Sequence, residues 1–262
     1  MIDFVRKDSY DLEDLKKIVS ILRSPEGCPW DKVQTHESLR RGMLEESYEV
    51  VEAIDEGNTE HLREELGDVL LQVVFHADIE HDAGRFDLND VADGVSKKLV
   101  FRHPHVFDNV DVADTAEVLV NWEQLKRQEK GQETYTDTLT SVAKTLPALW
   151  RAEKVQKKAR KANFDWPDAA GALDKVAEEL DELKTAMAEN SNIEEELGDL
   201  LFAAVNVARF VEVDPEEALT KATEKFISRF ARMEEFASAE GKDMAEMSLA
   251  QLDGLWNRAK RA

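Results

Sequence analysis

The 262-residue chain has a single cysteine, Cys28, so no intrachain disulfide can staple it. A lone thiol fits a reducing cytosol. With only 6 prolines and 11 glycines, the chain is short of the residues that punctuate a turn-rich β fold. It has no run near the roughly 18 consecutive apolar residues of a membrane span, and Met1 to Tyr10 lacks the apolar stretch of a signal peptide. A cytoplasmic protein with no membrane partner is expected. Positive charge is also in deficit: 34 Lys and Arg against 56 Asp and Glu leave a formal charge of −22. Nucleic-acid binding needs a basic face, so nucleic acid is excluded as a partner. All six histidines (36, 61, 76, 81, 103 and 105) lie in the first half.

What the chain does have is 42% hydrophobic and 34% charged residues, enough apolar matter for a core and a composition that favours long helices. Apolar residues recur at helical spacing in Leu12, Leu15, Ile18, Val19 and Leu22, and again in Leu62, Leu66, Val69, Leu70, Val73 and Val74. Start signals are Asn58 or Thr59, Asp87, Asp114-Thr115-Ala116-Glu117, Ser191-x-x-Glu194, Asp214-Pro215 and Ser248-x-x-Gln251. Pro25, Gly27, Gly57 and Gly131 mark ends. No segment reads as a strand. The expected fold is all-α, with two tandem helical bundles over 1–131 and 147–262, joined by a Thr-rich linker over 132–146.

An internal repeat underlies that division. Glu65-Leu66-Gly67-Asp68 recurs as Glu196-Leu197-Gly198-Asp199, and a Glu-Glu-x-x-Glu run precedes each copy, at Glu45 to Glu49 and at Glu178 to Glu182. Lys98-x-x-x-Arg102 is matched by Lys225-x-x-x-Arg229. Trp30 and Trp166 precede the acidic helices, and Trp122 and Trp256 follow the basic ones. Five elements in one order make chance similarity improbable.

Glu46 and Glu49 share a helix face, as do Glu65 and Asp68, because residues three apart are neighbours on a helix. A short connection packs the two helices antiparallel and lets the four carboxylates converge. Mutual repulsion then raises their pKa values unless a cation neutralises them. Hard oxygen ligands select Mg²⁺ or Mn²⁺. Taken alone, any such pair is more often a solvated helix face. The duplicated constellation favours metal, as do Asp68 and Asp199 inside apolar runs and Gly67 and Gly198 in mid-helix, where a close approach is expected. A di-iron bundle wants Glu-x-x-His, but Asp holds the i+3 position and the second half has no histidine. The Lys-x-x-x-Arg pairs read either as surface residues or as clamps for phosphate oxygens. The basic stretch Arg151 to Lys161 is either a solvated face or an attractor of anions. Trp166, with Phe164, and Trp256 are candidates for stacking on a nucleobase or for core packing. His103-Pro104-His105 reads as a structured loop.

With these motifs placed, the chain resembles the MazG family of nucleoside triphosphate pyrophosphohydrolases, all-α enzymes of the dimeric-dUTPase-like superfamily, in the long tandem-domain form. Gly27-Cys28-Pro29-Trp30-Asp31-Lys32, Arg102-His103-Pro104-His105-Val106-Phe107 and Gly198 to Phe202 carry the resemblance along with the acids. It implies Mg²⁺ at Glu46, Glu49, Glu65 and Asp68 and at Glu179, Glu182, Glu196 and Asp199, with Mn²⁺ as a substitute. It also implies nucleotide contacts, ATP included, from Lys225, Arg229 and Trp256, and from Lys175, four residues before Glu179. The first half departs here, with Gly42 at that offset and Arg41 beside it, so catalysis is expected chiefly from the second half, through Glu179, Glu182, Glu196, Asp199, Lys225 and Arg229. The implied reaction cleaves (deoxy)nucleoside triphosphates between the α- and β-phosphates, as nucleotide-pool housekeeping or in stress, by a homodimer. The alternative is a non-catalytic, metal-dependent nucleotide sensor or a helical module that binds a regulatory protein.

Overall fold

The computed structural model describes residues 4–108 and 114–261, and every regular element among them is helical. Two compact units divide after Lys126. The first contains α1 (Leu12–Arg23), α2 (His36–Asp55), α3 (Thr59–Asp82), α4 (Leu88–Arg102), α5 (Pro104–Phe107) and most of α6 (Thr115–Glu129). The second contains α7 (Tyr135–Thr140), α8 (Ala148–Ala159), α9 (Ala169–Glu189), α10 (Ile193–Phe210), α11 (Pro215–Ala239) and α12 (Leu249–Ala259). No described helix is long and apolar enough to cross a membrane.

Each unit is organised on a helical hairpin, α2–α3 in the first and α9–α10 in the second, which form the most extensive helix pairings. In the first hairpin Gly57 takes a left-handed backbone (φ +65°), and the Asn58 side chain accepts from the His61 N–H at 3.2 Å to start α3. In the second, Asn190 and Asn192 both take φ near 52°, a conformation asparagine tolerates better than most residues. The Ser191-x-x-Glu194 capping box does not form. Asn192 occupies the N-cap with no side-chain bond, because the chain enters α10 through left-handed residues and not through the extended backbone a capping serine uses. The Ser248–Gln251 box does form.

A further helix braces each hairpin from the same sequence position: α1 packs on α3, and α8 packs on α10. In the first unit Val19, Leu39, Val74 and Phe75 form the buried core at that junction. Arg23 reaches Asp78 (Nε–Oδ2 2.7 Å) and Asp82 (Nη2–Oδ2 2.7 Å) across it. Burial pushes the Asp78 carboxyl up, against the pull of the guanidinium. In the second unit the Gln156 Nε2 donates to the Phe202 carbonyl at 2.8 Å, and Trp150 Nε1 donates to Asp214 at 3.0 Å. Asp214 also caps α11, accepting from the Glu216 and Glu217 N–H groups. Burial works to raise its pKa, yet these donors hold it below the usual carboxylate value. Met233 and Ala237 of α11 close the unit against Leu255 and Ala259 of α12.

Two sequence expectations change. The segment 132–146, expected as a linker, contains a short helix: Thr134 caps α7, which packs on α8, and the compact units divide after Lys126. Its Thr-rich composition disguises a helix whose first turn is made by a capping box between Thr134 and Asp137. His103-Pro104-His105 is a helical turn and not a loop, with Pro104 opening α5 and His103 Nδ1 2.7 Å from the Leu99 carbonyl. Proline is well suited to that first helical position.

Removing one partner of a buried ion pair strands the other charge. Arg23→Ala is therefore expected to lower the unfolding free energy by about 3 kcal/mol, and Arg23→Leu with Asp78→Leu to recover most of that loss. Urea denaturation of the three proteins checks this.

Candidate functional site

Side by side, the hairpin helices bring their acids together. In the first unit one carboxylate oxygen each from Glu46, Glu49 and Glu65 lies within 4.8 Å of the others. In the second the same holds for Glu179, Glu196 and Asp199. Both sets draw from both helices of their hairpin. Of the four acids expected to converge in each half, the structure gathers three. Asp68 stays outside the first set and Glu182 outside the second. Both remain close enough to act: Asp68 raises the pKa of Glu46, and Glu182 feels Glu179 and Glu196.

The burial pattern also differs from expectation. The sequence placed the costly buried charges at Asp68 and Asp199, but Asp68 is only half-buried and Asp199 is exposed. The buried carboxylates of the two clusters are Glu65 and Glu179, at 8% and 4% exposure, and each has a buried Oε2 with no hydrogen-bond partner. Nor, among the described residues, does another part of the chain approach Gly67 or Gly198: a Cβ added at either would meet nothing within 4 Å.

Electrostatically the two clusters are under strain. Burial pushes the Glu65 carboxyl up, and Glu49 adds to that, while His61, 3.2 Å away, works against it. Burial likewise raises Glu46, helped by Asp68 and Glu49. Glu182 is raised by burial and then by Glu179, with Lys175 opposing. Converging carboxylates, orphaned buried oxygens and raised proton affinities are the features a hard cation would relieve. The donor set contains only oxygen, which fits Mg²⁺ or Mn²⁺ and not zinc.

The surroundings of the clusters differ. In the second unit Lys175 Nζ lies 2.5 Å from Glu179 Oε1 and 2.8 Å from Glu178 Oε1, hydrogen bonds that hold its ammonium well above its usual pKa. In the first unit the corresponding Gly42 leaves room for the Gln72 side chain, whose Nε2 would lie 2.9 Å from a Cβ there. A cavity of about 490 Å³ opens beside the second cluster, lined by Lys175, Glu179 and Asp199 together with Phe164 and Trp166. Gly171 lets Trp166 lie against the start of α9, since an added Cβ would come within 2.3 Å of the indole Cδ1. The sequence reading missed the polar residues that complete this cavity, among them Gln156, Asn206 and Arg209. A signal did exist: Asn206 and Arg209 interrupt an otherwise apolar stretch of α10.

Lys225, Arg229 and Trp256 do not line that cavity. Arg229 lies over the Trp256 ring at 5.8 Å, with Lys260 at 5.7 Å and Phe226 packed 5.2 Å away, while Lys225 is exposed. The first unit repeats the arrangement: Arg102 and Lys126 lie over Trp122 at 5.3 and 4.7 Å. The repeat read from sequence is thus also a repeat of cation–π contacts. Trp30 is largely exposed.

Comparison with known proteins agrees with this construction. The family model described as the MazG nucleotide pyrophosphohydrolase domain matches residues 34–107 and 170–232, which hold the two acidic hairpins. The nucleoside triphosphate pyrophosphohydrolase/pyrophosphatase MazG of Thermotoga maritima is 47% identical over 248 residues, 95% of both chains. The nucleoside triphosphate pyrophosphohydrolase of Escherichia coli K12 is 43% identical over 255 residues, covering 95% of this chain and 97% of that one. An uncharacterized Bacillus subtilis protein, YabN, is 51% identical over 254 residues, and there this chain corresponds to only 52% of the relative's length. On the matched hairpins and on identity that runs almost end to end, the chain belongs to the MazG nucleotide pyrophosphohydrolase family.

Proposed function

We propose that this protein hydrolyses (deoxy)nucleoside triphosphates between the α- and β-phosphates, releasing a nucleoside monophosphate and pyrophosphate, and that the second unit carries most of the activity. The observation that carries the proposal is the cavity in which Lys175 and Trp166 face the same space as Glu179 and Asp199. Such a space offers carboxylates and an ammonium to a metal-bound triphosphate and an aromatic ring to a base. Glu179, Glu196 and Asp199 would hold Mg²⁺, or Mn²⁺ in its place, and in the first unit Glu46, Glu49 and Glu65 would do the same. A bound ion would supply Lewis-acid polarisation of the reacting phosphate.

The chain's own groups account for the rest. Lys175, kept protonated by its two glutamates, offers positive charge to a phosphate oxygen as negative charge builds up. Glu182 sits outside the three-oxygen set with a raised proton affinity, which suits it to accept a proton from the attacking water. The phosphate-clamp role expected of Lys225 and Arg229 on α11 falls outside this cavity, which neither residue lines. Trp256 is already engaged by Arg229 and Lys260 and would offer its ring to the substrate only at the cost of those contacts. The relatives named as pyrophosphohydrolases support this reading.

The assembly proposed is a homodimer. Leu66 and Leu70 flank Gly67 on α3, and Leu197 and Leu201 flank Gly198 on α10, all four exposed in the single chain. A second copy burying these smooth apolar strips would give the mid-helix glycines the close approach that the single chain does not.

Incubation with GTP or dTTP and Mg²⁺ is expected to release pyrophosphate. Glu196→Gln should abolish that release, falling by about 100-fold or more, whereas Glu65→Gln should leave most of it. Release of orthophosphate, or turnover untouched in Glu196→Gln, rules the mechanism out. Proton affinity gives a second expectation. Glu182 is inactive as an acceptor when protonated, and in the metal-free protein burial and Glu179 hold its pKa above the ordinary carboxylate value. Bound Mg²⁺ opposes that shift, so the acid limb of kcat should move to lower pH as Mg²⁺ is raised and lose that dependence in Glu182→Gln. Mg²⁺ should also stabilise the fold, by about 2.7 kcal/mol at a hundredfold excess over Kd. Glu46→Gln should melt higher than the unaltered protein without metal, because one repelling charge is gone, yet gain less from Mg²⁺; calorimetry with and without the ion reads both.

A further inference from the structure

The cavity beside the second carboxylate cluster contains polar groups that metal and phosphate binding do not use. Gln156 is 7% exposed, and its Nε2 donates to the Phe202 carbonyl at 2.8 Å. A carbonyl can only accept, so the amide's orientation is fixed and Oε1 is the atom left over. That oxygen is buried with no partner, and Gln156 is one of the residues lining the cavity. Asn206, 6% exposed, lies on the same cavity. Its Oδ1 accepts from Arg209 Nε at 2.9 Å and Nη2 at 2.6 Å. A guanidinium has no acceptor, so this amide is fixed as well, and Nδ2 is the atom that remains to donate. Asp165 holds the guanidinium in turn, through contacts of 3.0 and 2.5 Å.

From this geometry we infer that the cavity reads the hydrogen-bonding edge of the substrate's nucleobase, with Gln156 Oε1 as acceptor, Asn206 Nδ2 as donor and the Trp166 ring as the stacking wall. The inference rests on the proposed nucleotide hydrolysis and deepens it. Gln156 and Asn206 are specificity-determining residues. Arg209 and Asp165 are positioning residues that act through Asn206. A base satisfies the pair only by presenting a donor beside an acceptor at matching depth, and a base that fails leaves a buried acceptor unpaired, which is costly. The first unit lacks the device: counting from its Glu65, the position of Asn206 holds Phe75 and that of Arg209 holds Asp78, which is engaged by Arg23. Base reading therefore belongs to the same unit as Lys175.

The test is kcat/KM for ATP, GTP, CTP and UTP with the unaltered protein, Gln156→Leu and Asn206→Asp. The second variant still accepts from Arg209 but turns the donor into an acceptor. The unaltered protein should rank the four bases, and each variant should reduce the favoured base by roughly 10- to 100-fold, mainly through KM, and alter the ranking. Thermal melting separates this from misfolding, because Asn206→Asp keeps the Arg209 contact and should retain a cooperative transition. Equal kcat/KM for all four bases in the unaltered protein, or a ranking preserved in a folded Asn206→Asp, overturns the inference. Absence of pyrophosphate release from any triphosphate overturns the hydrolase reading instead.

Discussion

Repulsion among carboxylates held on two adjacent helices is the constraint that organises this molecule. The hairpins α2–α3 and α9–α10 each force three acidic side chains to within 4.8 Å of one another and bury one of them, Glu65 in the first and Glu179 in the second. A fold does not hold such a cluster without support. α1 and α8 brace the hairpins through polar contacts, Arg23 to Asp78 and Gln156 to the Phe202 carbonyl. The glycine and asparagine turns keep the helices side by side, so the acids cannot relax apart. Proton affinities at Glu46, Glu65 and Glu182 are raised first by burial and then by the neighbouring carboxylates.

The two units answer the same problem differently. In the second, Lys175 sits against the buried carboxylate, and a cavity with aromatic and amide walls opens beside it. In the first, Gly42 occupies the lysine's position, with Gln72 in the vacated space and His61 beside Glu65. A shared scaffold with one furnished site and one pared-down site is what duplication followed by specialisation would leave. The cation–π groupings around Trp122 and Trp256 were retained in both, which marks them as part of the scaffold as much as of any site.

Much of this was legible in the sequence. Helical periodicity and the Asn58, Asp214-Pro215 and Ser248-x-x-Gln251 signals located the helices, because capping and amphipathicity are local properties. The repeat located the acids and separated the halves. Composition misled at 132–146, where a Thr-rich stretch folds as α7, and at Ser191, where the chain turns through left-handed asparagines. Burial was misjudged for a related reason. Asp68 and Asp199 sit among apolar residues in the sequence, but neighbours in sequence point around a helix in all directions, and the residues turned inward are Glu65 and Glu179.

The sequence alone determined the helical class, the duplication, the acidic motifs and the asymmetry at Lys175 and Gly42, since each depends on residue identity and spacing along one chain. Only the tertiary structure decided which three acids of each four meet, which oxygens lie buried without partners, and that Gln156, Asn206 and Arg209 share a cavity with Trp166. Those facts depend on distances between residues far apart in sequence, and on which atom of an amide a carbonyl or a guanidinium leaves unused. Local pattern carries neither.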